Sequence, residues 1–214
     1  MLTDPLAEYD RQAELMSQRI SNSLLNYDIG RFWRHIEELR MRVSALAMSE
    51  EASGNIPVVI LLKQKNFRYQ ELMGQLSHKG RNGYVEMTPK IPEDFRDIES
   101  LAIPNADLYV LWDVDTGMSN LNISPSDSME LLMKAKRTPL TMSEGLFCAL
   151  AVPELLTDKH RFNCIQMPGS RIEDDQRVPS IWLSKGAPRL GWCWFGNIHT
   201  WLATASCKSR LGAS

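Results

Sequence analysis

The run Ala187-Pro-Arg-Leu-Gly-Trp-Cys-Trp-Phe-Gly-Asn-Ile-His-Thr-Trp201 limits what this chain can fold into more than any other stretch. It gathers three of the chain's six tryptophans with a cysteine and a histidine. Exposing that much apolar surface to water is unfavourable by about 25 cal/mol per Å². Read as a strand, it turns Arg189, Gly191, Cys193 and Phe195 to one face and Leu190, Trp192 and Trp194 to the other, because strand side chains alternate with period two. Apolar groups on both faces demand cover on both. A doubly covered strand, followed by a Gly196-Asn197 turn that delivers His199 and Trp201, outlines the wall and rim of a pocket. Pockets of this kind are mostly apolar, with a few polar groups aimed inward.

Composition bounds the remainder. A chain of 214 residues is long enough for one well-buried core. Its hydrophobic fraction of 43% and charged fraction of 23% are ordinary, and no apolar run approaches the roughly 20 residues that span a bilayer. The first residues, Met1-Leu-Thr-Asp-Pro-Leu-Ala-Glu8, lack the basic start and apolar core of a secretory signal. The expected location is therefore the cytoplasm. Cys148, Cys164, Cys193 and Cys207 contain no C-x-x-C pair, which argues for thiols over a zinc ribbon or redox motif. A net charge of −2 gives no footprint for phosphate-backbone binding. Arg31, Arg34, Arg40 and Arg42 read as a solvated helix face, so neither nucleic acid nor membrane is an expected partner.

In chain order, Leu6, Tyr9, Ala13, Met16, Ile20 and Leu24 fall on one stripe of a helix running from Pro5 to about Asn26. Asp4 followed by Pro5 is its start signal. Phe32, Ile36, Leu39, Val43 and Leu46 make a second helical stripe ending near Met48. Together they predict a helical hairpin over 1–48, packed on the rest of the chain or on a second copy in a homodimer. The polar Ser49 to Asn55 links it to an α+β core over 56–214, and hairpin and core are expected to form one globular unit. Ile56-Pro-Val-Val-Ile-Leu-Leu62 predicts a buried strand. Asp107 to Trp112 predicts a second, running directly into Asp113-Val-Asp-Thr-Gly117. Ser124-Pro125 and Thr141-Met-Ser-Glu144 open further helices, the latter as a capping box. Val178 to Ser184 and Arg189 to Phe195, joined by Lys185-Gly-Ala-Pro188, predict a hairpin. The fold class is thus α+β: an N-terminal helical hairpin, then a mixed β-sheet flanked by helices.

Several motifs bear chemistry. Asp113 and Asp115 leave a strand where open sheets place ligands, and can serve a polar substrate or cap a turn. Asp115-Thr-Gly117 is similar to the aspartic-protease signature, but no second copy occurs; Asp113-x-Asp115 is similar to a phosphatase pattern, but Gly117 stands where threonine is needed. Gly169-Ser-Arg171 can cradle an anion or form a plain turn. His199 lies among aromatic residues, where burial sets its pKa for proton transfer, or where it is a core histidine. Trp182, Trp192, Trp194 and Trp201 offer flat surface to a ring-bearing ligand or to a protein partner. Cys164 or Cys207 is a nucleophile only if His199 reaches it.

The segments Asp113-Val-Asp-Thr-Gly117 with Leu121-Asn-Ile-Ser-Pro125, Pro139-Leu-Thr, Glu144-Gly145, Gly169-Ser-Arg171, Leu190-Gly-Trp-Cys-Trp, Gly196-Asn and His199-Thr-Trp also resemble a family of uncharacterised, mostly actinobacterial proteins of unknown function. The resemblance covers about Ile56 to Gly212. The family pattern has proline at the position of Ile198 and cysteine at that of Ile172. It implies a shared fold and a shared pocket, and names no reaction.

The expectation is a small-molecule-binding protein, an enzyme using acid and base catalysis in a tryptophan-lined pocket, with specialised metabolism as the broadest setting. His199, Asp113 and Asp115 are its catalytic candidates, and Arg171, Arg189, Trp192, Trp194, Asn197 and Trp201 its substrate-binding candidates. No motif specifies a cofactor or a metal. The rival expectation is a non-catalytic interaction or regulatory domain that docks a partner on the same aromatic surface.

Overall fold

The computed structural model describes residues 4–157 and 164–214, with Cys164 described by its backbone alone. His160 and the side chain of Cys164 therefore lie outside the described residues. The helices are α1 (Pro5–Ser21), α2 (Ile29–Ser49), α3 (Tyr69–Gly74), α4 (Pro125–Lys134) and α5 (Met142–Ala151). The principal strands are β1 (Ile56–Leu62), β2 (Tyr84–Val85), β3 (Leu108–Asp115), β4 (Cys164–Gln166), β5 (Arg177–Ser184), β6 (Ala187–Trp194), β7 (Ala203–Thr204) and β8 (Ser206–Gly212). The class is α+β. No helix among the described residues is long and apolar enough to cross a membrane.

The chain divides into two compact units, the first made of residues 1–68, 103–115 and 207–214 and the second of 69–102 and 116–206. In the first, Asp4 accepts a hydrogen bond from the Leu6 amide and Pro5 takes the first helical position, as the start signal predicts. Tyr9, Ala13, Met16 and Ile20 are buried as the stripe requires, but α1 stops at Ser21, short of the expected Asn26, because Ser23 takes a positive φ of 57°. Asp28 caps α2 through the Arg31 amide, and the Tyr9 hydroxyl donates to the Ile36 carbonyl at 2.8 Å to join the helices.

Strands β1, β3 and β8 lie side by side in that order, with β1 and β3 antiparallel in the register Val58 to Trp112 and Ile60 to Val110. Every residue of β1 is buried. Its outer edge is covered by the buried Gln12 of α1, whose amide donates to the Val58 carbonyl at 2.8 Å and accepts from the Ile60 amide at 2.9 Å. That contact satisfies ladder groups an open edge would leave bare. Strand β3 runs three residues beyond the predicted Trp112, so Asp113 lies inside the ladder instead of in a loop after it.

The second unit is built on a five-stranded mixed sheet of order β7-β4-β5-β6-β2. The β4–β5 and β5–β6 pairs are antiparallel; β6–β2 and β7–β4 are parallel. The β5–β6 hairpin closes with Ser184 opposite Ala187, so its turn is Lys185-Gly186 alone, two residues tighter than the predicted linker. Both turn residues have positive φ, 51° and 77°, the two-residue geometry whose twist matches the strands it joins. Helix α5 is buried along its whole length. Its capping box forms as read: the Thr141 amide donates to the Glu144 carboxylate at 2.8 Å and the Glu144 amide to the Thr141 hydroxyl at 3.3 Å.

Candidate functional site

The alternation expected of the tryptophan run holds. In the hairpin register Trp182 opposes Arg189, Ser180 opposes Gly191 and Val178 opposes Cys193 on one face, while Ile181, Pro179 and Arg177 oppose Leu190, Trp192 and Trp194 on the other. Val178, Ser180, Ile181 and Leu190 are fully buried, and burial falls away toward Trp194, which is 41% exposed. The chain then turns, with the Asn197 amide donating to the Trp194 carbonyl at 3.2 Å. It is pinned by Ser126, whose amide donates to the Phe195 carbonyl at 3.0 Å, and by Asn122, whose amide donates to the His199 carbonyl at 3.1 Å. Leu202 drops into a core cluster with Val178, Cys193 and Ala203.

This path leaves a cavity of about 250 Å³ lined by Trp182, Trp192, Cys193, Trp194, Asn197, His199, Trp201 and Leu202, all within the second unit. Its rings meet edge to face: Trp182 and Trp201 at 6.4 Å between centroids, His199 and Trp201 at 6.0 Å, Trp192 and Trp194 at 4.9 Å. Such pairs are each worth about 0.5–1.5 kcal/mol beyond area burial. The Trp192 indole donates to the Met87 carbonyl at 2.9 Å, which fixes that ring. Trp182 is fixed differently: it lies over Gly191, where a Cβ would stand 2.5 Å from the ring. Glycine is required there by the close approach of the indole.

His199 is the polar group of most interest. Its Nε2 is buried and has no hydrogen-bond partner among the described residues, and desolvation lowers its pKa from 6.5, so the imidazole is neutral near pH 7. Cys193, which also lines the cavity, accepts from the Gln166 amide at 3.2 Å and the Ser180 hydroxyl at 3.3 Å. Burial pushes its pKa up, outweighing those donors, so it is a thiol at neutral pH. Sequence reasoning weighed Cys164 and Cys207 and passed over this one. The signal was there: Cys193 sits between Trp192 and Trp194.

Three arginines stack on aromatic rings of this region. The Arg177 guanidinium lies 4.6 Å from the Trp192 ring centroid and 4.9 Å from that of Trp194; Arg189 lies 4.9 Å from Trp182, and Arg171 3.9 Å from Phe195. None of the three lines the cavity. Arg189 thus supports one ring of the wall and Arg177, which composition alone did not single out, supports two, while Arg171 stacks on Phe195 outside the lining. The anion cradle expected at Gly169-Ser-Arg171 is occupied from within: the Ser170 hydroxyl accepts from the Met142 amide at 2.8 Å and donates to Asp97 at 2.7 Å, and Arg171 donates to the Asp175 carbonyl at 2.9 Å.

Asp113 and Asp115 belong to the first unit, and neither lines this cavity. Asp113 is fully buried at a positive φ of 54°. Its carboxylate accepts from the Gly54 amide and from the Ser53 hydroxyl at 3.2 Å, tying the 53–54 loop to β3. Gly54 has no room for a Cβ, which would stand 2.7 Å from that carboxylate. Among the described residues, no group of three or more His, Cys, Asp or Glu side chains is placed to hold a metal ion.

No curated protein and no solved structure matches the chain. Over residues 20–213 it matches, and so belongs to, the family of unknown function DUF5701.

Proposed function

We propose that the second unit binds a small ring-bearing molecule between Trp182, Trp192, Trp194 and Trp201, with His199 as the group that recognises it and exchanges a proton with it. One observation carries this reading: a buried imidazole nitrogen without a partner among the described residues, in an aromatic cavity. An unpaired buried polar atom costs about 1–3 kcal/mol, and a ligand donor or acceptor meeting Nε2 removes that cost. A cavity of about 250 Å³ suits one or two fused rings. As an enzyme the site works by acid and base chemistry through the neutral His199. Asp113 is left out of that chemistry because its carboxylate holds the 53–54 loop.

The test is calorimetric titration of aromatic small molecules into the wild type and His199→Gln. The reading requires a ligand whose affinity falls at least tenfold in the variant while the melting temperature holds. A screen in which nothing binds, or a ligand indifferent to the substitution, overturns it.

A second reading has its own observation. Trp194, Ile198 and Trp201 are 41%, 64% and 46% exposed, a contiguous apolar rim on the same segment that a protein partner can cover. Co-purification of a partner lost on Ile198→Asp, with no small-molecule binding, favours it. Along α2, the exposed Trp33, Met41 and Met48 support a homodimer through the N-terminal helices, which native mass spectrometry reports directly. The buried thiols of Cys148, Cys193 and Cys207 support residence in the cytoplasm.

A further inference from the structure

We infer that the tryptophan cavity selects ligands by charge, accepting neutral and anionic planar rings and rejecting their cationic counterparts. The inference rests on the pocket reading above and deepens it to a ligand class.

Walls of several tryptophans are the usual trap for ammonium and quaternary ammonium groups, drawn by the negative faces of the rings. Here that attraction is already spent. Arg177 occupies Trp192 and Trp194, and Arg189 occupies Trp182, so three of the four rings carry a guanidinium. Neither arginine lines the cavity, so a ligand there meets rings already engaged by a cation and not the guanidinium groups themselves. A cation on one surface draws π density toward itself and makes the remaining surface less negative. A second cation in the cavity loses that attraction and also meets like charge nearby. Arg171, stacked on Phe195, adds a third positive group.

Among the described residues no carboxylate lines the cavity to reverse this. Asp175 pairs with Arg177 at 2.7 Å and with Lys90 at 3.5 Å, and Glu86 approaches Arg189 only loosely at 3.6 Å. Glu173 and Asp174, on the neighbouring turn, are exposed to solvent and screened by it. The polar lining groups, His199 with its neutral ring and Asn197, offer hydrogen bonds without charge. What remains attractive is stacking and edge contact with a flat ring, strengthened by any negative charge it carries.

The experiment is calorimetric titration of the intact protein at pH 7.5 with indole-3-acetate, indole and tryptamine, which share one ring and differ in charge. Indole-3-acetate should bind at least tenfold more tightly than tryptamine, with indole between them. Arg189→Gln should narrow that ratio at least threefold without abolishing indole binding. If tryptamine binds as well as indole-3-acetate while indole also binds, the charge inference falls and the pocket reading stands. If indole itself fails to bind, both fall.

Discussion

Replacing Gly191 by alanine tests whether the cavity wall is held in the way described. Gly191 is not at positive φ, so alanine meets no backbone objection, and its effect comes from the methyl group alone. That methyl would lie 2.5 Å and 2.9 Å from the two outer carbons of the Trp182 benzo ring and 3.3 Å from Nε of Arg189. A long flexible side chain would bend aside, but an indole is rigid and moves as a plate. Trp182 must therefore shift whole, which disturbs its stacking with Arg189 and its edge contact with Trp201. Overpacking of this kind costs about 1–3 kcal/mol. In a chain of this size each kcal/mol lowers the melting temperature by about 2–4 °C, so a drop of about 2–12 °C is expected. Differential scanning calorimetry reads the drop, and near-ultraviolet circular dichroism reads the altered indole environment. Trp182→Phe removes the clashing carbons, and the alanine methyl then fills the space they leave. The double variant should accordingly be at least about 0.5 kcal/mol more stable than the two single effects add up to. Strict additivity, or Gly191→Ala melting with the wild type, refutes the packing argument.

Other substitutions probe the remaining groups. His199 has a folded pKa below its ordinary 6.5, so the unfolded chain binds the proton more readily, and the stability contributed by the neutral ring is complete above pH 6.5 and lost as pH falls through 6.5 toward the lowered folded value. His199→Gln should flatten the urea midpoint against pH across that window, and an unchanged slope counts against desolvation of the ring. Cys193, a buried thiol of raised pKa, should react with iodoacetamide at least tenfold more slowly than free cysteine at pH 7.5, as followed by mass spectrometry. Equal rates mean that the wall is open. Asp113→Ala leaves the Gly54 amide without this carboxylate as acceptor and should cost about 1–3 kcal/mol in urea denaturation. A neutral result removes Asp113 as the tie of the 53–54 loop.

What was legible in the sequence divides along physical lines. Helix starts were readable because caps are local: Asp4 with Pro5, and Thr141 with Glu144, need only neighbours a few residues away. The two faces of the tryptophan strand were readable because alternation alone sets them, whereas the expected cover fails at Trp194, which is 41% exposed. Strand ends were less so. Asp113 reads as a loop residue by composition, yet its carboxylate is met by Ser53 and Gly54, some sixty positions earlier, and a contact of that separation leaves no periodic trace. The same holds for the arginines: Arg171 and Arg189 read as ligand-binding groups because guanidinium commonly binds anions, whereas here rings that the hairpin brings into register take them instead. Arg177 opposite Trp194, and Trp182 opposite Arg189, follow from that register once the turn is known to hold two residues.

That register also accounts for the cavity being present at all. A void forfeits the contacts of its lining, so rings held only by their neighbours would tend to close it. Each wall ring with a stacked arginine is instead held by something other than its fellows. Trp192 is held by the Met87 carbonyl and Arg177, Trp194 by Arg177, and Trp182 by the bare backbone of Gly191 and by Arg189. Trp201 alone carries no stacked arginine among the described residues; it is also the most exposed of the four, on the segment after the turn. An arrangement that fixes three rings and leaves the fourth at the rim is preorganised where ordering a ligand would otherwise cost affinity. On the proposed reading it is also adjustable at Trp201, 46% exposed. On this argument Trp201 is the ring that moves on binding, and its indole resonance should shift most when indole-3-acetate is titrated in.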